Sequence, residues 1–180
     1  MMNMRRNAWT SQLLLSLAIG LVILLVVMLL LGRALGETEA RVAKPAPPFV
    51  LKDARGQAVK LADFKDKALI VCFFATRDEP SQKQVVILND LLKKHNETNV
   101  AVLGIALLQT TYPPIEDYAA QQQLRYPLCA ADYGVVMAFG GLTAIPTTFV
   151  IDKNQNIIQK YVGVTETNVF DADLKAILKQ

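Results

Sequence analysis

Cysteine is scarce in this 180-residue chain, and the scarcity excludes several chemistries at once. Only Cys72 and Cys129 are present, far apart, so there is no disulfide framework, no zinc-ligand spacing and no Cys-x-x-Cys pair. His95 is the single histidine, which leaves no basis for a histidine-ligated metal centre, and the residues call for no metal and no cofactor. Neither sign of charge dominates. With 19 Lys+Arg against 16 Asp+Glu the net charge is +3, and no basic run or face of the kind a nucleic-acid partner requires is evident. Internal repeats are also lacking.

What is present begins with a long apolar run. Leu13 to Leu31 carries no charge and is broken only by Ser16 and Gly20. As a helix its 19 or so residues span roughly 28 Å, about the hydrocarbon thickness of a bilayer. A cleaved signal peptide has a shorter apolar core of about 7–15 residues. The reading is therefore an uncleaved single-span anchor over 13–32, preceded by a short tail over 1–12. Arg5 and Arg6 precede the span; Arg33, Arg41 and Lys44 follow it, so the basic residues alone do not orient it. A short tail before one span and a large domain after it favour a bacterial inner-membrane protein with its C-terminal domain on the periplasmic side. Residues 33–48 read as a linker, because Ala43-Lys-Pro-Ala-Pro-Pro48 is proline-rich and extended. The domain proper is expected over 49–180.

Within the domain, Phe49–Leu51 and Gln57–Lys60 flank the turn Asp53-Ala-Arg-Gly56 and predict a small hairpin. Ala68-Leu-Ile-Val-Cys-Phe-Phe74 is apolar throughout, the pattern of a strand buried on both faces. The spacing of Val85, Leu88 and Leu92 predicts a helix over 79–95. A second buried strand follows over 100–107, then a helix over 115–123, a short strand at Pro127–Cys129 and a short helix over 133–139. Thr147–Ile151 and Ile157–Val162 read as strands joined by the turn-forming cluster Asp152-Lys-Asn-Gln-Asn156. Phe170, Leu174, Ile177 and Leu178 mark one face of a terminal helix. Strands alternating with helices, then a hairpin and a helix, describe an α/β fold with a mixed sheet.

Four segments in this order, Ala46-Pro-Pro-Phe-Val-Leu51, Val59-Lys-Leu-Ala-Asp-Phe-Lys-Asp-Lys67, Leu69-Ile-Val-Cys-Phe-Phe-Ala-Thr76 and Ile145-Pro-Thr-Thr-Phe-Val-Ile-Asp152, resemble the membrane-tethered thioredoxin-like (redoxin) proteins of the TlpA/ResA type. The resemblance implies a thioredoxin-like fold and, for typical members, extracytoplasmic thiol–disulfide oxidoreductase activity, often in cytochrome c maturation. Their active segment reads approximately Phe-Trp-Ala-Thr-Trp-Cys-x-Pro-Cys. This chain has Phe73-Phe-Ala-Thr-Arg-Asp-Glu-Pro-Ser81 instead. By that match Asp78 takes the place of the attacking cysteine, Ser81 that of the resolving cysteine and Arg77 that of the tryptophan, while Pro80 stays. Pro146 falls on the family's cis-proline, after Ile145.

Thiol–disulfide exchange needs one thiolate to attack and a second thiol to resolve the mixed disulfide. Neither Asp78 nor Ser81 does either. Asp78-Glu79-Pro80-Ser81 reads instead as a helix start, with an N-cap carboxylate and a proline in the first turn. Arg77, Ile145 and Pro146 outline a groove that either still takes an extended peptide or is a relic of the fold; the residues leave both open. Cys72 reads as a small core residue. Cys129 is the remaining candidate thiol, and its strand is not expected to neighbour that of Cys72. A peroxiredoxin site, Pro-x-x-x-Thr-x-x-Cys, fails because Glu79 stands three residues after Thr76. A copper-delivery site fails for want of the cysteine pair, and His95 aligns with Leu88 and Leu92 as a packing residue. Asn96-Glu97-Thr98 is formally a glycosylation sequon. The functional expectation is a redox-inactive accessory protein with a protein partner in the membrane or periplasm, without turnover of its own; the alternative is an oxidoreductase working through Cys129 or a partner's thiols. A chaperone-like binder of unfolded chains lies between them.

Overall fold

The computed structural model describes residues 44–95, 97, 99–107 and 114–179, together with Gly20, Leu21 and Leu24. The chain divides after Arg41 into two units. Gly20, Leu21 and Leu24 are helical and exposed; the rest of the span expected over 13–32 lies outside the described residues, as do the tail over 1–12 and most of the linker. Among the described residues no helix is long and apolar enough to cross a membrane.

The second unit is built around β4 (Ala68–Phe74), which is buried at all seven positions. Its alternation splits the core in two. Ala68, Ile70, Cys72 and Phe74 point into one cluster, and Leu69, Val71 and Phe73 into the other. The apolar run in the sequence is thus two interleaved faces, each with its own cover. Six strands form the main sheet in the order β1 (Lys44–Pro45), β8 (Asn156–Val162), β7 (Thr147–Ile151), β4, β5 (Val100–Ala106) and β6 (Leu128–Ala130). β4 pairs parallel with β5 and antiparallel with β7, which makes the sheet mixed as expected.

One face carries the helices. α1 (Glu79–Lys94) contributes Val85, Leu88, Leu91 and Leu92 to the core. α2 (Ile115–Gln121) contributes Tyr118, and α4 (Thr167–Leu178) contributes Phe170, Leu174 and Ile177. The other face is covered by a hairpin, β2 (Val50–Lys52) with β3 (Ala58–Lys60), by a 3-10 turn over Leu61–Phe64, and by α3 (Tyr133–Ala138) with Phe139 at its end. Phe139 meets Phe73 edge-on at 5.2 Å and Phe149 at 5.0 Å, a geometry that suits the ring quadrupoles.

Both hairpin turns use one device. Asp53 Oδ1 accepts the backbone N–H of Arg55 (2.9 Å) and of Gln57 (2.8 Å). Asp152 Oδ1 accepts those of Asn154 (2.9 Å) and Asn156 (2.8 Å). Each aspartate closes its turn with its own side chain, and Gly56 supplies the positive φ of 75° that the first turn needs.

Two boundaries differ from the sequence reading by more than one residue. Lys44 and Pro45, expected in the linker, pair with Ile157 and Asn156, and Ala46 N–H donates to Gln155 O at 2.8 Å. A proline tolerates this position because β1 is an edge strand. α2 stops at Gln121 rather than continuing to Gln123, whose φ of 49° takes the chain out of the helix.

Gly104 sits in the middle of β5, opposite Cys72 on one side and Leu128 on the other. A Cβ there would lie 3.1 Å from Leu128 Cδ1 and Tyr126 Cε2 and 3.3 Å from Phe74 Cε1. Two rings and a leucine occupy the space the glycine leaves. Gly104→Ala should therefore cost about 1–3 kcal/mol by overpacking, read from the urea midpoint at unchanged slope.

α1 and α4 are joined at their outer ends. His95, the C-cap of α1, has its Nε2 2.7 Å from Asp171 Oδ1, and Lys94 Nζ bonds the other carboxylate oxygen. His95 is half-buried, as its alignment with Leu88 and Leu92 suggested. Hydrogen bonds from Lys94, then from His95, hold the Asp171 carboxyl below its ordinary value despite partial burial. The folded chain favours the ionised carboxylate, so this stabilisation is complete above the unfolded value of about 3.9 and is lost as pH falls through the lower folded value. Asp171→Asn should be less stable than the parent chain at neutral pH, and urea unfolding at decreasing pH should show that difference shrinking in the acid range.

Candidate functional site

Asp78 terminates the loop that leaves β4 and begins α1. Its backbone is extended (φ −89°, ψ 121°), as an N-cap requires, and its Oδ2 accepts the N–H of Ser81 at 2.9 Å. The same oxygen accepts the Ser81 hydroxyl at 2.6 Å. That hydroxyl in turn accepts the N–H of Ala75 at 3.3 Å. The segment is closed further by Asp78 N–H to Ala75 O (3.3 Å), Gln82 N–H to Asp78 O (2.9 Å) and Gln82 Nε2 to Thr76 O (2.8 Å). Pro80 falls in the first turn, where a missing N–H costs nothing.

Ser81 is fully buried, whereas Arg77, Glu79 and Pro80 are exposed and Asp78 is intermediate. A buried hydroxyl without partners would be costly. Here it both donates and accepts, so the carboxylate and the hydroxyl form a clasp at the helix start. A carboxylate lies where the positive end of the helix dipole favours negative charge. Nothing in this pair is nucleophilic toward sulfur.

The second half of the candidate site comes from the neighbouring strand. Phe73 is opposite Thr147 in the β4–β7 register, so the loop after β4 and the loop before β7 leave the sheet at the same end. The Ile145–Pro146 bond is cis, as the alignment of motifs implied. Pro146 is buried and Ile145 half-buried. Thr147 Oγ1 donates to Ala144 O at 2.6 Å, and Gly163 N–H donates to Pro146 O at 2.8 Å. The topology therefore brings the Asp78–Ser81 segment and the Pro146 loop together, on adjacent strands.

A link the sequence reading missed holds this end in place. Gln84 donates through Nε2 to Thr165 O (3.2 Å) and accepts the Thr165 N–H at Oε1 (2.6 Å). Both residues are buried. The pair ties the first turns of α1 to the connection between β8 and α4. The available signal was a glutamine beside the apolar stripe of α1, one residue before Val85.

The two thiols are not part of this arrangement. Cys72 lies on β4 and Cys129 on β6, with β5 between them, and both are free. They also face opposite clusters of the core. Burial pushes the Cys72 thiol up to about 12, outweighing the Thr148 hydroxyl that acts the other way. Burial also pushes Cys129 up to about 12, with the Asp53 charge adding to it. Cys129, the candidate thiol, is fully buried. A thiol held so far above neutrality supplies almost no thiolate. Among the described residues no group of histidine, cysteine and acidic side chains is arranged to hold a metal. Asn96 and Thr98 of the sequon lie outside the described residues.

Residues 42–160 match the AhpC/TSA family. The thiol–disulfide oxidoreductase ResA of Bacillus cereus is 27% identical over 84% of this chain and 93% of its own length. Among solved structures, a thiol:disulfide interchange protein of the thioredoxin family from Chlorobium tepidum is 32% identical, covers 76% of this chain and 97% of its own, and superposes with a TM-score of 0.69. A DsbF homologue from Corynebacterium diphtheriae, 17% identical over 76% of this chain and 88% of its own, shares the fold at a TM-score of 0.68. The fold is thus thioredoxin-like.

Asp78→Ala removes the cap and strands the buried Ser81 hydroxyl, and should cost about 1–3 kcal/mol. Thermal unfolding reads this as a lowered Tm. Asp78→Asn, which keeps an acceptor oxygen, should recover most of the loss.

Proposed function

The chain belongs to the AhpC/TSA redoxin family, close to thiol–disulfide oxidoreductases of the ResA type, and from that premise we propose that it is a member whose thiol chemistry has been replaced by a structural clasp, and which works by binding a protein partner. The observation that carries this reading is the Asp78–Ser81 pair. By the motif match it falls on the positions of the family's two cysteines, and its polar atoms, engaged with one another and with Ala75, support that reading. The intact Pro146 loop beside it supports a retained docking edge, where an extended segment of the partner adds its backbone to the fold. The apolar run over 13–32 supports a membrane anchor, with the domain on the extracytoplasmic side and the partner a membrane or periplasmic protein.

A second reading is thiol–disulfide exchange itself, through Cys129 or through thiols that a partner brings. The names of the relatives favour this reading, and similarity alone ranks it above the first. The burial of Cys129 and its raised thiol weigh against it. Peroxidase chemistry of the AhpC/TSA kind has the same difficulty, since Glu79 stands where that motif has its cysteine.

Insulin reduction by dithiothreitol separates the readings. With the chain added, the rate should equal the protein-free control. A rate clearly above that control, abolished in Cys129→Ser, would establish the oxidoreductase reading instead. Purification of the full chain in mild detergent should bring down a stoichiometric partner, and a chain that elutes alone under every mild condition would remove the case for an accessory role.

A further inference from the structure

A cavity of about 560 Å³ opens at the β6 edge of the sheet, and none of its lining residues belongs to the Asp78–Ser81 segment or the Pro146 loop. Its volume is within the range of small-molecule sites, about 300–1,000 Å³. One wall is the β2–β3 turn, with Arg55 and Gln57. The other is α2 and its exit, with Glu116, Ala119, Ala120 and Gln123. The walls are fixed to each other through β6: Ala54 N–H donates to Leu128 O at 2.8 Å, and Asp53 bridges Cys129. The α2 wall is held from behind, where Asn89 donates through Nδ2 to Gln123 O at 3.3 Å and accepts the Arg125 N–H at 3.0 Å.

The cavity carries four charged side chains, two of each sign. Two are already engaged. The Asp53 carboxylate closes its own turn. The Arg125 guanidinium grips Glu97 through Nε (3.2 Å) and Nη2 (2.7 Å). Among the described residues Arg55 and Glu116 form no ion pair. What remains is one cation and one anion without an ion-pair partner among the described residues, on opposite walls of a lining with no net charge.

That balance disfavours a polyanion such as a nucleotide and suits a ligand carrying one charge of each sign. We propose that the cavity binds a short peptide with both termini free. Arg55 takes the terminal carboxylate, for which a guanidinium offers paired donors. Glu116 takes the terminal ammonium. The Gln57 and Gln123 amides are matched to backbone amides between the termini, and the small side chains of Ala119 and Ala120 leave the room that peptide occupies. The site is separate from the Pro146 loop, so this assignment stands or falls independently of the accessory role.

NMR titration of the full chain with trialanine tests it. Resonances of the β2–β3 turn and of α2 should shift in a saturable manner. Acetylated, amidated trialanine should bind at least about tenfold more weakly, the loss of two charge-assisted contacts. Arg55→Gln should erase the preference for a free carboxylate alone, and Glu116→Gln that for a free ammonium alone; both positions are exposed, so the fold survives either change. Equal binding of the free and blocked peptides, or no shift at either wall at any attainable concentration, overturns the proposal.

Discussion

Burial of β4 on both faces is the constraint from which the remaining architecture follows. A strand with seven buried residues needs a cover on each side and a neighbour on each edge. The odd and even positions recruit different elements: α1, α2 and α4 against Ile70, Cys72 and Phe74, the hairpin and Phe139 against Val71 and Phe73. β5 and β7 satisfy its backbone. Each cover turns its apolar side to one of the two clusters, and the loops leaving β4 and entering β7 meet at one end of the sheet.

At that end α1 begins on an acidic cap. A helix N-terminus tolerates a thiolate or a carboxylate for the same electrostatic reason, and the position does not distinguish between them. What changes is reactivity. The Asp78 carboxylate accepts the Ser81 N–H and hydroxyl and is too weak a nucleophile toward sulfur to open a disulfide. Asp78 and Ser81 supply the cap and the buried hydrogen bonds that the fold needs at this helix start.

The cavity between the hairpin turn and α2 belongs to a different part of the molecule. It depends on α2 and on the hairpin reaching β6 through Ala54 and Asp53. Charges on its walls are either consumed locally, as at Asp53 and Arg125, or have no ion-pair partner among the described residues, as at Arg55 and Glu116. Its chemistry is polar and balanced, unlike the clasped and self-satisfied Asp78 end.

Most of the element order is legible from the residues alone. The unbroken apolar run predicted β4 to the residue, and the helix start at Glu79, the two aspartate turns and the terminal hairpin rest on local signals of spacing, capping and turn chemistry. The absence of a Cys-x-x-Cys pair is likewise a statement about sequence. Tertiary structure decided what local signals do not encode. Lys44–Pro45 became an edge strand because β8 offered a register, not because proline favours strands. Gln84 found Thr165 eighty-one residues away, a contact with no local signature. Ser81 proved to be a buried partner of both Asp78 and Ala75, and the two cysteines were set on opposite faces with β5 between them. Period and capping are properties of a few neighbouring residues and can be read in order; burial, pairing and the meeting of distant side chains depend on which faces pack together, which only the folded chain determines.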